Sequence, residues 1–156
     1  MRPSPITPRI LTVEDNPGDA LLVRLVLEEL EHAAELEVST DGRDVLQTVQ
    51  RFAPHLILLD LHLPGKGGQE VLTELRADPA GQVVPVVVFS SSAAQADVVR
   101  CYAAGANTYF TKPAELESFG KTLTCILEYW FHTAELPTEQ PGERVKLPSL
   151  PHGACG

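Results

Sequence analysis

Three carboxylates, one lysine and one serine stand just past the ends of apolar, strand-like runs. Ile10-Leu11-Thr12-Val13 is followed by Glu14-Asp15, and Leu56-Ile57-Leu58-Leu59 by Asp60. Pro85-Val86-Val87-Val88-Phe89 ends in Ser90, and Asn107-Thr108-Tyr109-Phe110-Thr111 runs into Lys112-Pro113. If these runs are parallel strands of one sheet, their carboxyl ends share an edge and the five groups converge on one cleft. Carboxylate oxygens are hard ligands that suit Mg²⁺, which takes one or two carboxylates, waters and phosphate oxygens. Gathering Glu14, Asp15 and Asp60 without a cation is costly, because like charges destabilise one another. One carboxylate can then act as a nucleophile for a phosphoryl group, with the ammonium and the hydroxyl receiving its oxygens. Singly, each residue has a plain explanation as a helix cap, a turn residue or a solvated charge. Together, each at the end of a different strand, they point to a site.

The elements that must hold them alternate between strand and helix from Arg9 to Thr133. The pattern predicts strands near Arg9–Val13, Leu36–Thr40, Leu56–Leu59, Val84–Phe89 and Thr108–Phe110. It predicts helices from Pro17 to about Glu31, Arg43 to Phe52, Gly68 to Ala77, Ala93 to Ala104 and Ala114 to Thr133. Asn16 is a good cap, Pro17 fits a first turn and Asp19 suits a helix N-terminus. Ser91 or Ser92 is expected to cap the fourth helix. Near-continuous Leu, Ile and Val in the first, third and fourth strands imply a parallel sheet covered on both faces. The more polar second strand suits an edge. The expected fold is α/β: a doubly wound five-stranded parallel sheet, (βα)5, in the flavodoxin-like strand order. Its ligand crevice would lie beside the first and third strands, where Asp15 and Asp60 stand. Residues 1–8 read as an arm, 9–133 as one domain, and 134–156 as a Pro-rich tail, extended or disordered, with no output domain.

Composition narrows the function. The 156 residues carry a net charge of −9, which disfavours nucleic-acid and anionic membrane partners. No run is long enough to span a bilayer and no secretion signal is visible, so a cytoplasmic location is expected. Cys101, Cys125 and Cys155 suggest neither a disulfide framework nor a zinc site. The scattered histidines lack metal-ligand spacing.

With these motifs assembled, the segment from Arg9 to Thr133 resembles the receiver domain of bacterial response regulators in two-component signalling. The matching segments are Glu14-Asp15-Asn16, Leu58-Leu59-Asp60-Leu61-His62-Leu63-Pro64 with Gly68, Val86-Val87-Val88-Phe89-Ser90, and Ala103-Ala104-Gly105-Ala106 followed by Tyr109 and Lys112-Pro113. The resemblance implies that Asp60 is the phospho-acceptor and that Glu14 and Asp15 bind Mg²⁺. Asp15, Asp60 and the His62 backbone carbonyl would be its direct ligands. It implies that Ser90 is the switch hydroxyl, Tyr109 the aromatic that moves with it, and Lys112 the phosphoryl-binding ammonium. The neighbouring Ser91 and Ser92 leave a one-residue alternative for the hydroxyl. The family's Lys-Pro peptide is usually cis, and Lys112-Pro113 is expected to match.

A narrower likeness, carried by Glu14-Asp15-Asn16-Pro17-Gly18-Asp19-Ala20, Leu63-Pro64-Gly65-Lys66 and Glu128-Tyr129-Trp130-Phe131, is to single-domain regulators paired with bacterial phytochrome histidine kinases. It makes such a kinase the expected partner and protein contacts the expected output. Leu21, Leu22, Val23, Leu25, Val26, Leu27 and Leu30 make the first helix more apolar than one core stripe needs, so an exposed rim could dock a kinase helix. Leu116, Phe119, Leu123, Ile126 and Trp130 recur at helical spacing as the core stripe of the last helix. Tyr129, Trp130 and Phe131 cannot all be buried by one stripe, and they are the expected homodimer interface. Rival readings are a haloacid-dehalogenase-like phosphatase, which needs an Asp where His62 stands, a flavin carrier, whose phosphate Glu14-Asp15 would repel, and a phosphorylation-independent pseudo-receiver scaffold.

Overall fold

A computed structural model describes residues 4–29, 34–138 and 143–144. Strands β1 (Arg9–Val13), β2 (Glu35–Ser39), β3 (Leu56–Leu59), β4 (Val86–Ser90) and β5 (Thr108–Thr111) form one parallel sheet in the order β2-β1-β3-β4-β5. Between them run α1 (Pro17–Glu29), α2 (Val45–Phe52), α3 (Gly68–Ala77) and α4 (Gln95–Ala103), and α5 (Leu116–Glu128) follows β5. This is the expected (βα)5 order, with the polar β2 at one edge and β3 in the middle. The end of the first helix beyond Glu29 lies outside the described residues, as does most of the segment expected to be a tail. Ser4–Pro5 pairs in parallel with Glu143–Arg144, a two-residue contact between arm and tail that periodicity could not show.

The pleat sends alternate residues to opposite faces, and both faces are apolar. Ile10, Leu56, Leu58, Val87 and Phe89 pack against Val23, Val26 and Leu27 of α1 and Phe119, Leu123, Ile126 and Leu127 of α5. Leu11, Val13, Ile57, Leu59, Val86 and Val88 face the other way, onto Val45 and Val49 of α2, Val71, Leu72 and Leu75 of α3, and Cys101 of α4. The two layers cover the sheet on both faces and support the register that aligns the strand ends. Arg76 ties the other end of this assembly: its guanidinium donates to the carbonyls of Gly105, Gly81 and Val84 and to Asn107 Oδ1, at 2.7–3.0 Å.

The last helix reaches Thr133 as expected, its turn after Glu128 held by π-helical hydrogen bonding. Several local readings are corrected. The apolar stripe runs Phe119, Leu123, Ile126, Leu127 to Phe131, which is fully buried. Trp130 only flanks this core, and Leu116, in the first turn, is 65% exposed. The stripe therefore passes one residue later than expected, because Leu127 and Phe131 are four apart and share a face. Phe131 cannot be an interface anchor; of the three aromatics Tyr129 is the exposed one, in edge contact with the half-buried Trp130. On α4, Ala94 is the cap residue and no side chain caps it; Ser92 instead accepts from the Ala94 N–H and donates to Asp97 Oδ2. Cys101 is a free, buried thiol, whereas Cys125 is disulfide-bonded, contrary to expectation. The Lys112–Pro113 peptide is trans, not cis; trans is the default state of an X–Pro bond, and the Lys112 N–H still closes onto the Ser90 carbonyl at 2.7 Å.

Candidate functional site

The register of the sheet brings the expected residues together. Val13 lies between Ser39 and Leu59, and Ser90 lies beside Thr111, so Glu14, Asp60 and Lys112 each emerge at the same edge. The Asp60 N–H donates to the Val13 carbonyl, extending the β1–β3 ladder into the site. Gly68, at the start of α3, is packed against the backbone of Asp60 and Leu61. A Cβ there would lie 2.6 Å from the Asp60 carbonyl oxygen, so glycine is needed for this approach.

Glu14, Asp15 and Asp60 each place a carboxylate oxygen within 4.8 Å of the others; Glu14 and Asp60 are buried and Asp15 is exposed. Such all-oxygen donors, with one side open, suit a hard divalent cation. Lys112 is almost enclosed, and its Nζ donates to Glu14 Oε2, to Asp19 Oδ2 at 2.9 Å and to Asp60 Oδ2 at 3.4 Å. Glu14 is doubly held, because its Oε1 accepts from the Asn16 N–H at 3.0 Å. Asp60 is held more loosely: Oδ1 accepts from the His62 N–H, also at 3.4 Å. Of the two buried carboxylates, Asp60 is thus the one free to accept a new bond, and one of its oxygens faces the ammonium.

Burial raises the Glu14 carboxyl to about 7, and the Asp60 charge adds to this, against the opposing pull of Lys112 and the Asn16 N–H. Burial works against the Lys112 charge, but its carboxylate partners outweigh burial and raise its pKa. The cleft therefore carries excess negative charge next to a firmly charged ammonium. Glu14, Asp15, Asn16, Asp19, Asp60, His62, Ser91 and Lys112 line it as an open cleft of about 540 Å³. A separate cavity of about 370 Å³ near Arg9, His55 and Pro137 involves none of these groups.

Ser90 is fully buried at the end of β4, and its Oγ accepts from the Ser92 N–H at 3.3 Å. Ser91, next along, lines the cleft itself. Tyr109 Oη donates to the Ser92 carbonyl at 2.7 Å. One short loop thus connects the Ser90 hydroxyl to the Tyr109 ring. Asp19 was not among the residues expected to do chemistry; its acid in a first helical turn looked like a partner for the helix dipole alone.

Comparison with known proteins agrees with this geometry. The family model for the response regulator receiver domain matches residues 10–124. The response regulator Rcp1 of Synechocystis sp. is 37% identical over 135 residues, covering 82% of this chain and 92% of that protein. A crystal structure of the phosphorylated cyanobacterial phytochrome response regulator RcpA superposes with a TM-score of 0.81 at 36% identity, covering 85% of this chain and all of that one. The Mn²⁺-bound form of Rcp1 superposes at 0.78, again at 36% identity, covering 84% of this chain and 99% of that one. No described helix is long and apolar enough to cross a membrane.

Proposed function

Because this chain belongs to the response regulator receiver family, we propose that it is a phosphorylation-driven signalling switch whose acceptor is Asp60 and whose metal is Mg²⁺. The observation that carries this reading is the convergence of Glu14, Asp15, Asp60 and Lys112 on one cleft, with Asp60 the loosely held buried carboxylate. Asp60 attacks the phosphorus of a phosphohistidine or a small acyl phosphate. An O–P bond forms, the bond to the donor breaks, and the leaving group departs with the electron pair. Lys112 donates to a phosphoryl oxygen, and Ser90 turns toward another. Asp15, Asp60 and the His62 carbonyl would hold Mg²⁺, with Glu14 beside it, and the ion would supply charge neutralisation for the transferred oxygens. Movement of Ser90 pulls on the loop whose Ser92 carbonyl holds Tyr109, carrying the signal toward α4 and β5. The chain acts on its own carboxylate and not on an external metabolite, which sets aside the phosphatase and flavin-carrier readings; a complete acidic set with Lys112 speaks against the scaffold reading.

The relatives favour a phytochrome-class histidine kinase as the donor. Leu21 and Leu25, one turn apart and exposed on α1, offer that kinase an apolar contact. Tyr129, exposed at the end of the last helix, supports homodimerisation there, with Trp130 beneath it. Intact-mass measurement after incubation with acetyl phosphate tests the central reading. One phosphoryl adduct is expected with Mg²⁺, and none with chelator or in Asp60→Asn. An adduct that persists in Asp60→Asn would refute it. Sedimentation of wild type and Tyr129→Ala tests the dimer, and a wild type that stays monomeric at high micromolar concentration, phosphorylated or not, would sink it.

A further inference from the structure

We propose that Asp19 is a positioning residue that draws the Lys112 ammonium back from Asp60, so that release of this ion pair limits how fast a phosphoryl group is taken up. The inference rests on the reading of Asp60 as acceptor and concerns the regulation of that same site. An ammonium has three protons to donate. In Lys112 the three go to Glu14, Asp19 and Asp60, and the Asp60 contact is the longest, at 3.4 Å. For Lys112 to meet a phosphoryl oxygen, one carboxylate must give way. Glu14 is the worst candidate, being buried and held from both oxygens. Asp19 is the best: its side chain is 28% exposed, and among the described residues the Lys112 bond is the one its carboxylate makes.

Asp19 is also spare for its helix. Asn16 Oδ1 already accepts from the N–H groups of Gly18 and Asp19, at 2.9 and 3.2 Å, and so caps α1. The Asp19 side chain is left to turn into the cleft, where it adds a fourth carboxylate to Glu14, Asp15 and Asp60 against one ammonium. It therefore opposes an incoming phosphoryl group twice, by its charge and by its hold on the lysine. The second effect distinguishes a positioning role from plain repulsion.

The test measures single-turnover phosphorylation by acetyl phosphate at saturating Mg²⁺ across donor concentrations. The chains compared are wild type, Asp19→Asn, Lys112→Ala and the double variant. Asp19→Asn should raise the rate constant at saturating donor about two- to fivefold, the scale of one partly exposed ion pair. The same substitution should change nothing in the Lys112→Ala background. Beryllofluoride with Mg²⁺, a phosphoryl mimic that needs no turnover, should bind Asp19→Asn more tightly than wild type by a similar factor. An unchanged or slower rate together with unchanged beryllofluoride affinity would overturn the proposal. An equal acceleration with and without Lys112 would also overturn it, showing repulsion of the donor instead. A wild type that takes no phosphoryl group at Asp60 would instead defeat the acceptor reading.

Discussion

Adding Mg²⁺ should stabilise this protein strongly, and the size of the effect can be worked from the cluster. Glu14, Asp15 and Asp60 hold oxygens within 4.8 Å of one another, with Lys112 as the nearby cation. At an effective dielectric constant of ~20, each like-charged pair at that distance repels by roughly 3 kcal/mol. Lys112 offsets part of this, and a divalent cation removes most of the rest. Binding at 100 times the dissociation constant adds ~2.7 kcal/mol to folding stability. For a domain of this size that is a rise of ~5–10 °C in Tm. The effect should depend on pH in a definite direction. Glu14 titrates near 7 in the metal-free fold, above its ordinary 4.5. The folded metal-free chain thus holds a proton that the unfolded chain has lost, so its stability falls as pH rises from about 4.5 through 7. Mg²⁺ must compete with that proton, and its stabilisation should be larger at pH 8 than at pH 6. Differential scanning calorimetry with and without Mg²⁺, at both pH values, measures all of this. In Asp15→Asn the shift should shrink to a small fraction of the wild-type value. An undiminished Mg²⁺ response in that variant would place the metal elsewhere.

Two further outcomes follow from packing. His55 is buried, its Nδ1 accepts from the Arg9 N–H at 2.9 Å, and burial, aided by the Arg9 charge, lowers its pKa to about 4 from 6.5. Its neutral form therefore contributes stability above pH 6.5 that is lost as pH falls toward 4, by at most about 3 kcal/mol; urea denaturation across pH 4–7 should show a shallower acid slope in His55→Gln, and an identical slope would assign the loss to other groups. Phe131→Ala should cost ~3–5 kcal/mol by opening the core at the end of the last helix, whereas Tyr129→Ala should cost the monomer under about 1 kcal/mol; denaturation midpoints giving the reverse order would contradict the burial pattern.

The strands and the strand-end carboxylates were legible because both faces of the sheet are apolar and each βα unit repeats the same pattern. Asn16 and Pro17 marked the start of α1 through local chemistry, and its side-chain cap is present. The end of the last helix was misread for a reason of phase. Trp130 and Phe131 are neighbours, and a stripe drawn through either fits a helical repeat until Leu127 is placed in the core with Ile126. Asp19 was hidden because an acid in a first turn has a sufficient local explanation. Its partner, Lys112, is 93 residues away along the chain, and only the sheet brings them together. Arg76 was invisible for a related reason: its partners are mostly backbone carbonyls, which no residue type advertises. The Cys125 disulfide had no spacing motif to announce it.

Asp60 is the carboxylate that must take the phosphoryl group. Borohydride reduction of the acyl phosphate, formed with acetyl phosphate and Mg²⁺, converts the modified side chain into a stable alcohol that peptide mass spectrometry can locate. The label should fall on Asp60, and Glu14, Asp15 and Asp19 should carry none. Label on any of those three, with Asp60 unmodified, would contradict this assignment.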